Sequence, residues 1–560
     1  MRKLALSVAV ILFVLTAVPV AVLSPAEAQQ GRPARSQPAA AAAQPAMAAP
    51  AAGQPEPVDL DAIYKIKDEG FNRSKVMETM SYLTDVHGPR LTNSPNMRAA
   101  ADWTVKSLGE WGMANVKKEP WGPFGRGWAN LRTTMHVTSP QRWPVIAYSY
   151  AWSPGTNGPV SGEAVRVEIA AAADMEKYKG KLKGKFILLQ DMRAVPPQMN
   201  PPGRRYTEEE LAERAEEPVP TARAAAQRGR FGGQQQLRNQ INAFLVQEGV
   251  AAVVEPSTWD AGWVRVGGVS RNPDDPNPVR VMIAIEHYGR ILRTIEKKIP
   301  VTIELDLQNE FYDQDLNSFN ITAEIPGTDK ADEVVMLGAH FDSWHSGTGA
   351  TDNAAGSSVM LEALRILKAS GVKLRRTVRL GLWTGEEQGL LGSRAYAADS
   401  FADVDRSDRQ NPKWILKPGH AKLSGYFNID NGTGKIRGIY LQGNEAIRPV
   451  FEAWMKPFNN VGMNTLSLRG TGGTDHLAYD AVGLPGFQFI QDPMEYSTKT
   501  HHSNMDTYER IQEADMKQMA VIVASFVYHA ANREQLLPRK PMPAPPAPRG
   551  RPAAAEEARQ

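Results

Sequence analysis

The chain has 560 residues, 42% of them hydrophobic and 22% charged, which places it among globular proteins and above the size of one ordinary domain. Its net charge of +3 is too small to argue for nucleic acid or an anionic membrane as a partner. Cysteine is absent, so disulfides, thiolate metal sites, a cysteine nucleophile and a lipid-attachment cysteine are all excluded.

Residues 1–28 read as a secretory signal: Arg2 and Lys3, then an apolar run from Leu4 to Leu23, then Ala26-Glu27-Ala28 as a small-residue cleavage site. A membrane anchor is the rival, because the run approaches spanning length. The polar sequence that follows at once favours cleavage, which leaves a protein secreted or periplasmic in a bacterium, with no stable membrane insertion. Residues 29–57, rich in Ala, Pro and Gln, read as a disordered linker. Ser94-Pro95 predicts a helix start, with Met97, Ala101, Val105 and Leu108 on one face and Gly112 as the stop. From Ala129 to about Asp313 short strands are predicted at 145–149, 185–190, 251–254, 279–285 and 301–307. Two helices intervene, one through Ile241, Phe244 and Leu245, the other over 288–296. Inside this region residues 193–236 are rich in Pro, Arg and Glu. They read as a solvated excursion with one short helix capped at Thr207, a docking surface being the alternative.

From Ser318 strands alternate with helical patterns. Strands are predicted at 334–340, 378–384, 424–430, 438–442 and 486–490, and helices through Met360, Ala363, Leu364 and Leu367 and through Met516, Met519, Val523 and Phe526. This predicts an α/β fold: a mostly parallel mixed sheet with helices on both faces, interrupted by a β-rich insertion. The expected organisation is a catalytic domain in two parts, 58–135 and 316–535, an inserted domain at 136–315, and a disordered tail at 536–560.

Chemistry concentrates between Val334 and Asp506. The stretches are Gly338-Ala-His340-Phe-Asp342, Thr351-Asp352-Asn353, Gly385-Glu386-Glu387, Asn428-Ile-Asp430 and His501-His502-Ser-Asn-Met-Asp506. Four of the five follow an apolar run of strand length, and open α/β sheets carry their active sites at strand C-terminal ends. Imidazole and carboxylate bind zinc at roughly 2.0–2.2 Å, and two ions about 3.5–4 Å apart can clamp a hydrolytic displacement. Asp352, after the glycine-rich Gly347-Thr-Gly-Ala and just before a helix, is placed to bridge such a pair. Asp342 is expected to accept the second ring N–H of His340 and fix its tautomer, and Asp506 to order the loop carrying His502. The adjacent Glu386 and Glu387 can divide the work, one binding metal and the other moving a proton.

These segments resemble the co-catalytic di-zinc peptidase family of bacterial zinc aminopeptidases and glutamate carboxypeptidases over about Asp59 to Ala531. Val86-His-Gly-Pro-Arg-Leu-Thr and the segment from Glu119 to Trp128 look most like its carboxypeptidase Q branch. The resemblance implies two Zn2+ per chain, with His340 and Asp430 on one, Glu387 and His502 on the other, and Asp352 bridging. It further implies Glu386 as general base to a bridging hydroxide, a cis bond at Asp352-Asn353, a protease-associated domain as the insertion, and a homodimer. The residue before the last histidine ligand is often a tyrosine that stabilises the oxyanion; here His501 stands there and takes that role, although His501 and His502 could exchange. Gly472-Gly-Thr-Asp475-His476 resembles a segment near the site, with its role open.

The remaining histidines His87, His136, His287, His345, His420 and His529 read as structural or surface residues, and Gly432-Thr-Gly434 and Gly470-Thr-Gly-Gly473 as turns. Absence of His-Glu-x-x-His and Gly-x-Ser-x-Gly argues against single-zinc zincins and serine hydrolases. The expected activity is a peptidase of aminopeptidase or dipeptidase type acting on peptides or dipeptides. Its rivals are glutamate carboxypeptidase or glutaminyl cyclase chemistry on the same fold, and a receptor-like protein without catalysis.

Overall fold

A computed structural model describes residues 56–219, 232–408 and 410–546. The signal-peptide reading, nearly all of the linker and the end of the tail lie outside the described residues.

An eight-stranded mixed sheet organises the part of the chain that carries the stretches from His340 to Asp506. Its strands run in the order Ala114–Trp121, Ser318–Ile325, Arg376–Trp383, Lys330–His340, Leu423–Asn428, Gly486–Gln491, Ile436–Tyr440 and Thr465–Ser467. The four central strands from Arg376–Trp383 to Gly486–Gln491 are parallel to one another, and an antiparallel strand flanks them on each side. Side chains alternate across the sheet. Val335, Leu337 and Ala339 enter the main core under the helices Leu60–Asn72, Pro95–Glu110, Ala355–Ala369 and Glu513–Asn532. Met336, Trp383 and Tyr426 enter a second cluster under Leu391–Ser400 and His476–Asp480. Each fully buried Leu or Phe on these faces contributes roughly 1.5–3 kcal/mol. Ser94 caps the third helix, accepting from Met97 N at 3.2 Å, as its sequence predicts.

A second eight-stranded sheet, with its own core, is built between Gly127 and Tyr312. Its middle strands Val160–Arg166, Phe186–Leu188, Ala252–Pro256 and Arg280–Ile283 are parallel, and antiparallel strands close both sides. Helices Gly232–Glu248 and Ile285–Glu296 accompany it.

Two polar segments depart from their expected solvated state. In the 193–236 excursion the helix Glu208–Glu216 is capped by Thr207, as predicted. Its surroundings nevertheless dock onto the part organised by the first sheet: Arg205 pairs with buried Asp492 at 2.8 Å and with Asp515 at 2.8 Å, and Arg437 pairs with Glu208 at 2.6 Å. The expected disordered tail also starts later than residue 536. Leu537 is fully buried and donates to Ser424 Oγ at 3.2 Å, and Arg539 donates to the Leu423 carbonyl at 2.7 Å. In both cases the partners lie far away in sequence, where composition cannot indicate them.

Candidate metal centre

Three neighbouring parallel strands bring the first donors together. His340 ends Lys330–His340, Glu386 and Glu387 follow Arg376–Trp383, and Asp430 follows Leu423–Asn428. Only three of the five chemical stretches thus sit at strand ends, against four expected. The other two use turns: Asp352 precedes the helix Ala355–Ala369, and His501 and His502 lie on a loop well beyond Gly486–Gln491. Gly349 shapes the Asp352 turn. Its φ is +69°, and a Cβ there would meet Ser343 at 2.3 Å. Asn353 ties that turn to the neighbouring strand end, donating to the Ile429 carbonyl at 2.9 Å, and the Asp352–Asn353 bond is cis.

The two oxygens of Asp352 face different groups. Oδ1 lies 3.3 Å from His340 Nε2, which is 3.6 Å from Asp430 Oδ1. Oδ2 lies 3.3 Å from His502 Nε2, which is 2.9 Å from Glu387 Oε2. Donors arranged tetrahedrally about an ion at roughly 2.0–2.2 Å stand roughly 3.3–3.6 Å apart. Asp352 Oδ2, Glu387 Oε1 and Asp430 Oδ1 are buried without a hydrogen-bond partner, a costly state that cations relieve. Three of these four spacings, the donor types and the orphaned oxygens fit a pair of metal ions.

The electrostatics agree. Burial lifts the Glu386 carboxyl well above the usual range; His340 opposes this, and Asp430, Asp475 and Glu387 add to it. Glu387 is pushed up to about 7, first by burial and then by Asp352. Burial opposes protonation of His502, yet Glu387 and Asp352 raise it to about 10. Acids crowded this closely call for positive charge, which bound cations supply. His501 behaves differently. Burial lowers it to about 4, so its imidazole is neutral near pH 7; its ring is tilted against that of His502 at 3.7 Å, with Nε2 3.9 Å from Asp352 Oδ2.

Of two supporting carboxylates, one acts on other partners than expected. His340 Nδ1 lies 3.0 Å from the backbone carbonyl of Asp342, while the carboxylate is 3.9 Å away, so the carbonyl fixes the tautomer. The Asp342 carboxylate instead accepts from Thr92 Oγ1 at 2.8 Å and from the backbone N–H groups of Glu386 and Glu387 at 3.2 and 3.4 Å. Asp506 accepts from the backbone N–H groups of Thr351 and Asp352, at 2.5 and 3.2 Å, and donates its own N–H to the Ser503 carbonyl at 3.1 Å, so it ties the His502 loop to the Asp352 turn. Asp475 is wholly buried, pushed up to about 7 by burial, and lies within the field of Glu386.

Sequence reasoning misses several neighbours. Arg90 is buried and donates to the carbonyls of Phe341, Leu83 and Gly349 at 2.9, 2.7 and 3.0 Å, clamping the His340 and Asp352 turns. The ring of buried Tyr496 lies 4.9 Å from that of His501. From the β-rich part, Val266 N donates to the His502 carbonyl at 3.0 Å and Val264 N to Asn504 Oδ1 at 2.8 Å. Arg90 at least belongs to the quoted Val86–Thr92 stretch; nothing in sequence marks Val264 to Val266.

Residues 320–527 match Peptidase family M28. Over 481 residues the chain is 25% identical to carboxypeptidase Q of Homo sapiens, spanning 85% of this chain and 90% of that one. It is 30% identical over 214 residues to aminopeptidase YwaD of Bacillus subtilis (strain 168), spanning 38% of this chain and 44% of that one. A solved peptidase M28 precursor from Shewanella amazonensis SB2B superimposes with a TM-score of 0.62 at 23% identity, covering 87% of this chain and 99% of that one. BSAP, a zinc aminopeptidase from Bacillus subtilis, superimposes with a TM-score of 0.51 at 20% identity, covering 82% and 95%. These two structures speak for the fold.

Mixed sheet, donor set and sequence matches together make the protein a metallopeptidase. The match to peptidase family M28 spans residues 320–527, the part that carries His340, Asp352, Glu387, Asp430 and His502.

Proposed function

We propose that this protein is an exported exopeptidase that uses two zinc ions to hydrolyse the peptide bond at the N-terminus of peptides or within dipeptides. The observation that carries the reading is the division of Asp352 between two donor sets. His340 and Asp430 would hold one ion and Glu387 and His502 the other, with Asp352 shared between them. The names of the relatives, zinc aminopeptidase and carboxypeptidase Q, support metal and reaction class. Export rests on the sequence of residues 1–28; among the described residues no helix is long and apolar enough to cross a membrane. The protease-associated insertion at 136–315, between catalytic segments 58–135 and 316–535, rests on the same sequence reading.

When bound, the ion pair supplies Lewis acidity to the scissile carbonyl and lowers the pKa of the attacking water to roughly 7. Glu386 takes the proton of that water as its oxygen bonds to the carbonyl carbon, and passes it to the nitrogen as the C–N bond breaks. The Asp342 carboxylate keeps Glu386 aimed by holding its backbone N–H. Neutral His501 donates to the carbonyl oxygen as charge builds there.

Metal analysis with a panel of free-amine, blocked-amine and Glu-terminated peptides tests this. The expected result is two zinc ions per chain and free amino acid released from unblocked dipeptides. Hydrolysis confined to Glu-terminated peptides would identify a glutamate carboxypeptidase. One metal and cyclised glutamine would identify a cyclase, and a metal-free inert protein a receptor-like role.

A further inference from the structure

The loop 263–269 of the β-rich part crosses the His502 side of the site and leaves one cation there. Arg265 bridges Ser503 through the backbone, and one guanidinium nitrogen lies 3.4 Å from His502 Nδ1. That contact is no hydrogen bond in the form of His502 that serves as a ligand. Nε2 faces Glu387 and Asp352, so the hydrogen is on Nδ1, and both groups are then donors.

Among the described residues no carboxylate is within ion-pair distance of Arg265. Lys499, which lies over the ring of Trp263, is by contrast held by Glu495 at 3.1 Å. Arg265 is only half-buried, and its charge also bears on His501, whose protonation it disfavours. A half-exposed guanidinium beside a ligand of a dication pair makes that side of the site attractive to an anion.

Resting on the exopeptidase reading and its dipeptide substrates, we propose that Arg265 receives the α-carboxylate of the residue that leaves the site. One residue separates that carboxylate from the scissile carbonyl, at most about 3.6 Å of chain. A guanidinium touching the His502 ring covers this reach, and the fork of Arg265 suits a carboxylate. The same carboxylate gives His502 Nδ1–H the acceptor it lacks. A tripeptide carries its carboxylate one residue too far.

The test compares wild type, Arg265→Ala and Arg265→Lys on Ala-Leu, its C-terminal amide, Ala-Glu-amide and Ala-Leu-Ala, with zinc content measured for each protein. Wild type is expected to prefer Ala-Leu to its amide and to Ala-Leu-Ala. Arg265→Ala should lower kcat/KM on Ala-Leu by roughly 10–100-fold, mainly through KM, the range for losing a charged hydrogen bond. The amide should lose no more than a few-fold, and Arg265→Lys should recover part of the loss. Calorimetry with a reduced-amide dipeptide and its carboxamide should show the same preference in wild type and none in Arg265→Ala. Equal losses on Ala-Leu and its amide, or no loss on either, would overturn the proposal. A loss confined to Ala-Glu-amide would overturn the α-carboxylate assignment in favour of a substrate side chain. Zinc-loaded wild type inert on all four peptides would sink the exopeptidase reading instead.

Discussion

The two sheets meet the site in opposite ways. The catalytic sheet delivers side chains: His340, Glu386, Glu387 and Asp430 stand at or just beyond the ends of three paired parallel strands, so the ladder fixes their spacing. Among the described residues, the β-rich part grips the loop of His502 through the backbone of Val264 and Val266 and reaches the His502 ring with the side chain of Arg265. Reacting groups on a rigid frame and a recognition group on a loop from elsewhere divide chemistry from selectivity. Changes on the sheet side should therefore cost turnover on every substrate. Changes on the loop side should cost less, and unequally.

The largest effect belongs to the base. Glu386→Gln should reduce kcat by roughly 10²–10⁴-fold, the range for losing a positioned acid–base group, with zinc content unchanged. Turnover within tenfold of wild type would remove Glu386 from its role. Next comes Asp342→Asn. The amide still accepts at one atom but presents a donor to the N–H groups of Glu386 and Glu387 or to Thr92, which disorders the base without touching a metal. A loss of about 10–100-fold, equal on dipeptide and amide, is expected in steady-state kinetics. A loss selective for the free dipeptide would erase the contrast between the two sides.

How far the sequence discloses this contrast depends on locality. Strand 334–340 can be read because Val334 to Ala339 is an apolar run, and the donor follows it directly. The edge strand Ala114–Trp121 cannot, because Lys117, Lys118, Glu119 and Pro120 give it the look of a loop, as edge strands often have. Gly127–Ser139 hides in the same way behind Asn130, Arg132 and Thr133, which are mostly exposed. The proposed metal donors stand out because their residue types are rare in such settings. The partners of Asp342 do not, since a carboxylate two residues after a histidine suggests the ring, and the chain instead turns so that the carbonyl meets it. Arg265 is wholly invisible: its meaning lies in contact with a residue 237 positions away.

A milder perturbation of the loop side is Asn504→Ala. It leaves buried Val264 N–H without its acceptor, at a cost of about 1–3 kcal/mol, and loosens the strip that carries Arg265. The melting temperature should fall by a few degrees, and kcat/KM should drop more for Ala-Leu than for its amide, about threefold against little. Equal drops would mean that the strip supports His502 only as a metal ligand.

The smallest effect concerns the joint between the two sides. His345, between the donors His340 and Asp352, reaches into the β-rich part, where its Nε2 lies 2.7 Å from the Ser149 carbonyl and its ring meets Trp128 edge-on at 5.0 Å. The carbonyl can only accept, so Nε2 carries the hydrogen and Nδ1 is left buried without a partner. Protonating Nδ1 places a charge there, and burial accordingly lowers His345 to about 4, the Ser149 carbonyl opposing this slightly. An unfolded histidine titrates near 6.5, so between about pH 6.5 and 4 the unfolded chain binds more protons than the native one. Stability from this group is thus complete above pH 6.5, falls as the pH drops toward 4, and levels off below. His345→Gln keeps an N–H donor for Ser149 and removes the titration. The stability gap between the two proteins in urea unfolding should therefore change by on the order of 1–3 kcal/mol in favour of the variant from pH 7 to pH 4.5. Parallel stability curves across that range would show that the joint between site and insertion carries no buried titrating ring.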